Sequence, residues 1–328
     1  MRIVLALAIL GFSTTLLVAS EKKTDRPLEK GTVSFKPIGD QKTIPEKYRL
    51  DAHDFEYQMK FVRELPDLGV EIFDVTFPSA VKSPHAENNV VHAEYYRPKK
   101  KGPLPCVIVL DITGGDQSLS RLIARHLAQN EIGGLFVQMA YYGPRRPPGS
   151  NLRLLSPDID HTFKAITQTV LDLRRATAWM EARPEVDKTK LGIMGTSLGS
   201  FMAALTGEME PKLSRVTVLL GGGGFIDGYW DHPEAVPFRK AFEAVGGTKK
   251  LAQDFIADID PITHARLLKD RKMLIIAAKN DEIVPPKMAE NLWKATGEQR
   301  IVWLNAGHYS AVVFLLPALK HVVDHHKQ

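Results

Sequence analysis

Residues 191–199 read Leu-Gly-Ile-Met-Gly-Thr-Ser-Leu-Gly. The stretch predicts a short buried strand running into a Gly-x-Ser-x-Gly turn, with Gly195, Ser197 and Gly199 in the fixed places. A serine at the tip of so sharp a strand-to-helix turn takes a strained backbone, and its neighbours must be nearly free of side chain. The strain presents its hydroxyl above the sheet. It also aims the next amide, that of Leu198, at the place where an oxyanion would form.

Two later segments give the serine its context. Lys272–Asp281 (Lys-Met-Leu-Ile-Ile-Ala-Ala-Lys-Asn-Asp) predicts an apolar strand ending on an acid, followed by Glu-Ile-Val-Pro-Pro. Arg300–His308 (Arg-Ile-Val-Trp-Leu-Asn-Ala-Gly-His) predicts another, ending on a histidine. Serine, acid and histidine thus arrive in that order, each at the carboxyl end of a strand, where open α/β sheets gather catalytic groups. A serine hydroxyl is a weak nucleophile at neutral pH and needs a base. His308 is the candidate base, and Asp281 the acid that fixes its tautomer, with Glu282 as runner-up.

Around these segments, strands and helices alternate. Val70–Phe77 and Asn89–Tyr96 predict an antiparallel pair, Cys106–Ile112 a buried strand, Ser118–Gln129 a helix and Gly134–Ala140 a strand. Phe163, Ile166, Val170, Leu173 and Met180 share one face of a helix over 162–183, which stops at Pro184. The alternation predicts an α/β fold with a doubly wound, mostly parallel sheet. Residues 221–268 lose this regularity and predict a cap-like insertion or a plain connection. Residues 21–69 read as an irregular, proline-punctuated extension with a short helix near Asp54–Leu65.

Met1–Ser20 has a basic start, an apolar run over Ile3–Leu17 and small residues at Val18-Ala19-Ser20, the pattern of a signal peptide. Export to the periplasm or beyond follows, with no stable membrane insertion once the segment is removed. A lone cysteine, Cys106, excludes an intrachain disulfide and is expected in the core. With 43 basic and 38 acidic residues, the chain carries +5 but no basic run of the kind that grips nucleic acid. Gly221–Gly224 lacks the Lys-Ser/Thr of a phosphate loop. His321, His325 and His326 lack partners at metal-ligand spacing and are expected in solvent.

The chain resembles the α/β-hydrolase superfamily over roughly residues 70–328, and within it the dienelactone-hydrolase-like and acetyl-esterase-like branch. The resemblance rests on Asp172–Gly199, on Asp260–Pro285 with its Asp-Pro-Ile-Thr-His lead-in, and on the strand-end loop Leu110-Asp-Ile-Thr-Gly-Gly. Two departures stand out. Ser197 takes the place of the cysteine of dienelactone hydrolases proper, and Ser200 replaces a frequent second glycine.

The resemblance implies a Ser197–His308–Asp281 triad hydrolysing a carboxylic ester, short-acyl or carbohydrate-linked, without metal or cofactor. It also implies an oxyanion hole built from the amides of Leu198 and Ile112, with Thr113 competing for the second place. Asp111, beside that hole, either points away or bonds Ser197. Met139–Pro148 follows a strand at the same edge, so Tyr141, Tyr142 and Arg145 are candidate substrate contacts, with Arg145 suited to a substrate carboxylate. Phe225 and Trp230 could add an aromatic platform. The alternatives are a prolyl-oligopeptidase-like peptidase and a silent, hydrolase-like binding protein.

Overall fold

The apolar runs become the middle of a ten-stranded sheet. The computed structural model describes residues 26–114 and 116–328. The strands are β1 (Glu29–Phe35), β2 (His53–Leu65), β3 (Val70–Pro78), β4 (Val90–Pro98), β5 (Leu104–Leu110), β6 (Gly133–Val137), β7 (Val186–Thr196), β8 (Arg215–Leu219), β9 (Lys272–Ala278) and β10 (Arg300–Leu304). Their order across the sheet is β1-β2-β3-β4-β6-β5-β7-β8-β9-β10. β1 to β4 form an antiparallel flank, and β6, β5, β7, β8, β9 and β10 run parallel.

From β5 the chain steps to one side, to β6, and then crosses to the other, to β7. That reversal opens a crevice at the carboxyl ends of β5 and β7. Leu110 and Gly195 are paired there, so Asp111-Ile112 and Ser197 leave the sheet side by side.

Helices cover both faces, as buried parallel strands require. They are α1 (Ser118–Gln129), α2 (Ile159–Glu181), α3 (Leu198–Met209), α4 (Phe225–Tyr229), α5 (Val236–Ala244), α6 (Lys249–Ile256), α7 (Pro261–His264), α8 (Pro286–Ala295) and α9 (Leu315–Lys327). One core joins β-strand side chains to α2, α3 and α8 around Trp179, Met202 and Leu292. The other joins them to α1 and α9 around Ile123, Leu127 and Leu319. Cys106 lies fully buried in the first.

The expected antiparallel pair is β3 with β4, and α2 starts at Asp158, whose side chain accepts from the His161 amide. The extension departs from its reading. Residues 29–35 and 53–65 are strands paired in register, and no helix forms near Asp54–Leu65. The cause is a period of two: Phe55, Tyr57 and Met59 turn inward while Asp54, Glu56, Gln58 and Lys60 face out. With Val33 and Phe35 they extend the core beyond β3.

Residues 221–268 hold four short helices. They are fastened to the body by the Tyr229 hydroxyl on the Ile283 carbonyl and by the Tyr48 hydroxyl on the Asp258 carbonyl, while Asp260 ties the segment to itself by accepting the Gly224 and Phe225 amides. The signal-peptide reading of 1–20 lies outside the described residues. Among the described residues, no helix is long and apolar enough to cross a membrane.

Candidate functional site

Ser197 has φ 50° and ψ −117°, a backbone that an L-residue adopts only under constraint. The constraint is visible. A Cβ on Gly195 would stand 2.0 Å from the Gly199 carbonyl oxygen, and one on Gly199 would stand 2.5 Å from that of Asp111. The Ser197 amide donates to Leu219 of β8 at 2.9 Å, which locks the turn to the neighbouring strand.

Ser200, the departure from the resembled motif, is accommodated from the opposite side. A Cβ on Gly221 would fall 1.8 Å from its hydroxyl oxygen, so the absence of a side chain at Gly221 makes room for it. The Ser200 hydroxyl donates to the Ser197 carbonyl at 2.6 Å.

β9 and β10 deliver the other two groups. His308 Nε2 lies 3.1 Å from Ser197 Oγ, and its Nδ1 lies 2.8 and 3.0 Å from the Asp281 carboxylate oxygens. A carboxylate only accepts, so Nδ1 carries the proton in that contact and Nε2 is left to receive one from serine. Asp281 Oδ1 also accepts the amides of Ile283 at 3.0 Å and Val284 at 2.7 Å, which fixes the carboxylate. Glu282, the runner-up acid, serves the backbone: its Oε2 accepts the His308 amide at 3.0 Å. Gly307 makes room, since a Cβ there would stand 2.5 Å from that oxygen.

The oxyanion amides are in different states. Leu198, first residue of α3, donates to no acceptor among the described residues. Ile112 donates at 2.7 Å to Asp111 Oδ1, so the expected second donor is already engaged. Thr113, its competitor, has no such acceptor among the described residues. Asp111 bonds this amide rather than Ser197. Burial pushes its carboxyl above the usual range, with the Ile112 amide pulling the other way.

Of the proposed contacts on 139–148, Arg145 is not free for a substrate. Arg145 is 0% exposed and pairs at 2.6 Å with Asp172 of α2, itself 1% exposed. It also donates to the carbonyls of Gln138 and Asn88. A guanidinium so enclosed holds the post-β6 loop to α2 and is not free for a substrate carboxylate. Tyr141 and Tyr142 are buried, and the Tyr141 ring packs against His85 and His161. The Phe225 ring packs tilted against Phe201 with ring centroids 4.8 Å apart, joining Val284, Met288 and Tyr229 in an apolar wall beside the serine helix. Trp230 lies under the Arg239 guanidinium instead.

Two of the three C-terminal histidines are also misplaced by the sequence reading. His325 and His326 are buried, His326 completely, with its Nε2 3.1 Å from Thr217 Oγ1. Their position on the inner face of α9, three and four residues past Val322, was the available signal. Among the described residues, no group of three His, Cys, Asp or Glu side chains could hold a metal ion.

Comparison with known proteins places this geometry. The family described as alpha/beta hydrolase domain containing 18 matches residues 52–221, and the prolyl oligopeptidase family matches residues 162–310. An uncharacterized protein of Mycobacterium tuberculosis, found in two strains, is 27% identical over 164 residues. That match takes in 46% of this chain and 35% of the relative, so the chain spans about a third of the length of the curated relatives it matches.

Among solved structures, acetyl xylan esterase 1 from a Thermoanaerobacterium species is similar at 17% identity and TM-score 0.59, covering 82% of this chain and 87% of its own. An acetyl xylan esterase from a Paenibacillus species is similar at 16% identity and TM-score 0.60, covering 82% and 88%. At such identities the likeness is one of fold. The first family match spans just over half of the 328 residues, and the chain belongs to the family of alpha/beta hydrolase domain containing 18, within the α/β-hydrolase superfamily.

Proposed function

We propose that the chain is a serine hydrolase of carboxylic esters working through an acyl-enzyme. One observation carries the reading: a single imidazole stands 3.1 Å from Ser197 Oγ and 2.8 Å from Asp281. His308 takes the serine proton as Oγ attacks the ester carbonyl, and Asp281 stabilises the imidazolium. The oxyanion is met by the Leu198 amide. Thr113 is the second donor, because Ile112 is held by Asp111. Collapse expels the alcohol, which takes its proton from His308, and water then attacks the acyl-enzyme by the reverse roles.

Acetyl or other short acyl groups on a carbohydrate or small alcohol are the favoured substrates, by analogy with the acetyl xylan esterases of similar fold. The reading includes export, on the strength of Met1–Ser20, and takes residues 221–268 as a cap. The prolyl oligopeptidase match over 162–310 favours a second reading, cleavage of peptides after proline.

Labelling with a fluorophosphonate tests the core of the proposal. The folded protein is expected to label, and Ser197→Ala and His308→Ala to lose it. An unlabelled wild type would leave a silent binding protein. Turnover of p-nitrophenyl acetate against glycyl-prolyl p-nitroanilide then separates esterase from peptidase.

A further inference from the structure

The loop after β6 carries three arginines, and burial accounts for only one. Arg145 is neutralised by Asp172. Arg146 and Arg153 are not: among the described residues, no carboxylate lies within 4.0 Å of either guanidinium. Arg146 is tethered by its Nε, which donates to the Tyr141 carbonyl at 3.4 Å, and its terminal nitrogens have no acceptor among the described residues. Arg153 reaches the oxyanion loop itself. Its Nη1 lies 3.6 Å from where a Cβ on Gly114 would stand, two residues beyond Ile112. Tyr142, four residues before Arg146, buries a hydroxyl that has no hydrogen-bond partner among the described residues, and the charges of both arginines act on it.

The acids near that spot are engaged elsewhere. Asp111 Oδ1 accepts the Ile112 amide at 2.7 Å and Asp116 Oδ1 the Ser118 amide at 3.0 Å, and among the described residues neither carboxylate lies within 4.0 Å of Arg146 or Arg153. A planar guanidinium with free terminal donors matches the two oxygens of a carboxylate or phosphate, and two of them beside a reaction centre form a charge-selective clamp.

We propose that Arg146 and Arg153 bind a second, anionic group of the substrate, so that the preferred ester carries a carboxylate or phosphate within reach of the scissile carbonyl. This rests on the esterase reading. It narrows that reading from esters in general to charged ones, and it moves the anion-binding role from Arg145 to half-buried Arg146 and exposed Arg153.

Matched pairs test it. Monomethyl glutarate against methyl valerate adds a carboxylate on the acid side, and acetylglycerol phosphate against acetylglycerol adds a phosphate on the alcohol side. Wild type is expected to prefer the charged member of at least one pair by about tenfold in kcat/KM. The responsive pair identifies the source of the anion. In Arg146→Gln/Arg153→Gln the ratio should fall toward one.

Equal rates on both members of both pairs, or a preference that survives the double substitution, would overturn the proposal. A binding readout keeps it separate from catalysis. Calorimetry of Ser197→Ala with glutarate and with glycerol phosphate should show binding to at least one, lost when both arginines are replaced. Absence of fluorophosphonate labelling would instead count against the esterase reading itself.

Discussion

Asp281 and Glu282 are adjacent acids with separate jobs, and the difference is one of which nitrogen each holds. Asp281 holds the ring of His308 and Glu282 holds its backbone amide. Asp281→Asn can place a donor where Nδ1–H already donates, which drives the imidazole toward the wrong tautomer. A loss of about 10³–10⁴ in kcat is expected, measured on p-nitrophenyl acetate. Glu282→Gln keeps an acceptor for the His308 amide, so its kcat should fall less than about tenfold. Comparable losses in the two variants would break the assignment. The sequence offered both acids one residue apart, and only the turn after β9, with its Ile283 and Val284 amides on Asp281, separates them.

At the scale of elements, α9 carries an acid-sensitive face. His325 is pushed down to about 4, first by burial and then by the charges of Arg215 and Arg300, with Lys272 also close. His326 is also lowered, by burial, by His325 and by Arg215. Both are neutral in the fold, whereas an unfolded histidine takes a proton near pH 6.5. Their contribution is therefore complete above about 6.5 and shrinks as pH falls toward 4, the unfolded chain binding more protons throughout that window. His325 alone accounts for about 3 kcal/mol by the bottom of it. Urea midpoints should drop between pH 7 and pH 5, and His325→Gln should flatten the drop. A midpoint independent of pH over that range would refute the assignment.

The same scale shows what could be read in advance. β5, β7 and β9 announced themselves because a buried parallel strand is a local apolar run, and β10 because its outer residues are apolar too; the candidate catalytic groups stand where such runs stop. Arg145 was misread because its partner, Asp172, sits 27 residues away on a helix buried nearly all round. An acid among Val170, Leu171 and Leu173 was the trace of that pairing. β1 and β2 were missed for a different reason: their polar outward residues made alternating strands look like an irregular tail.

Across the whole molecule, the three candidate catalytic groups do not share one mechanical fate. Ser197 is clamped in the interior, its strand flanked by β5 and β8 and its turn tied to Leu219. His308 hangs from β10, the last strand of the sheet, which pairs only with β9 and has half-exposed residues along most of its length. Border strands peel before interiors melt. In rising urea, fluorophosphonate reactivity should therefore vanish at a lower concentration than far-UV dichroism, and coincident midpoints would rule this out. The protein would then spoil as a catalyst while still looking intact, its working lifetime set at the hem of the sheet.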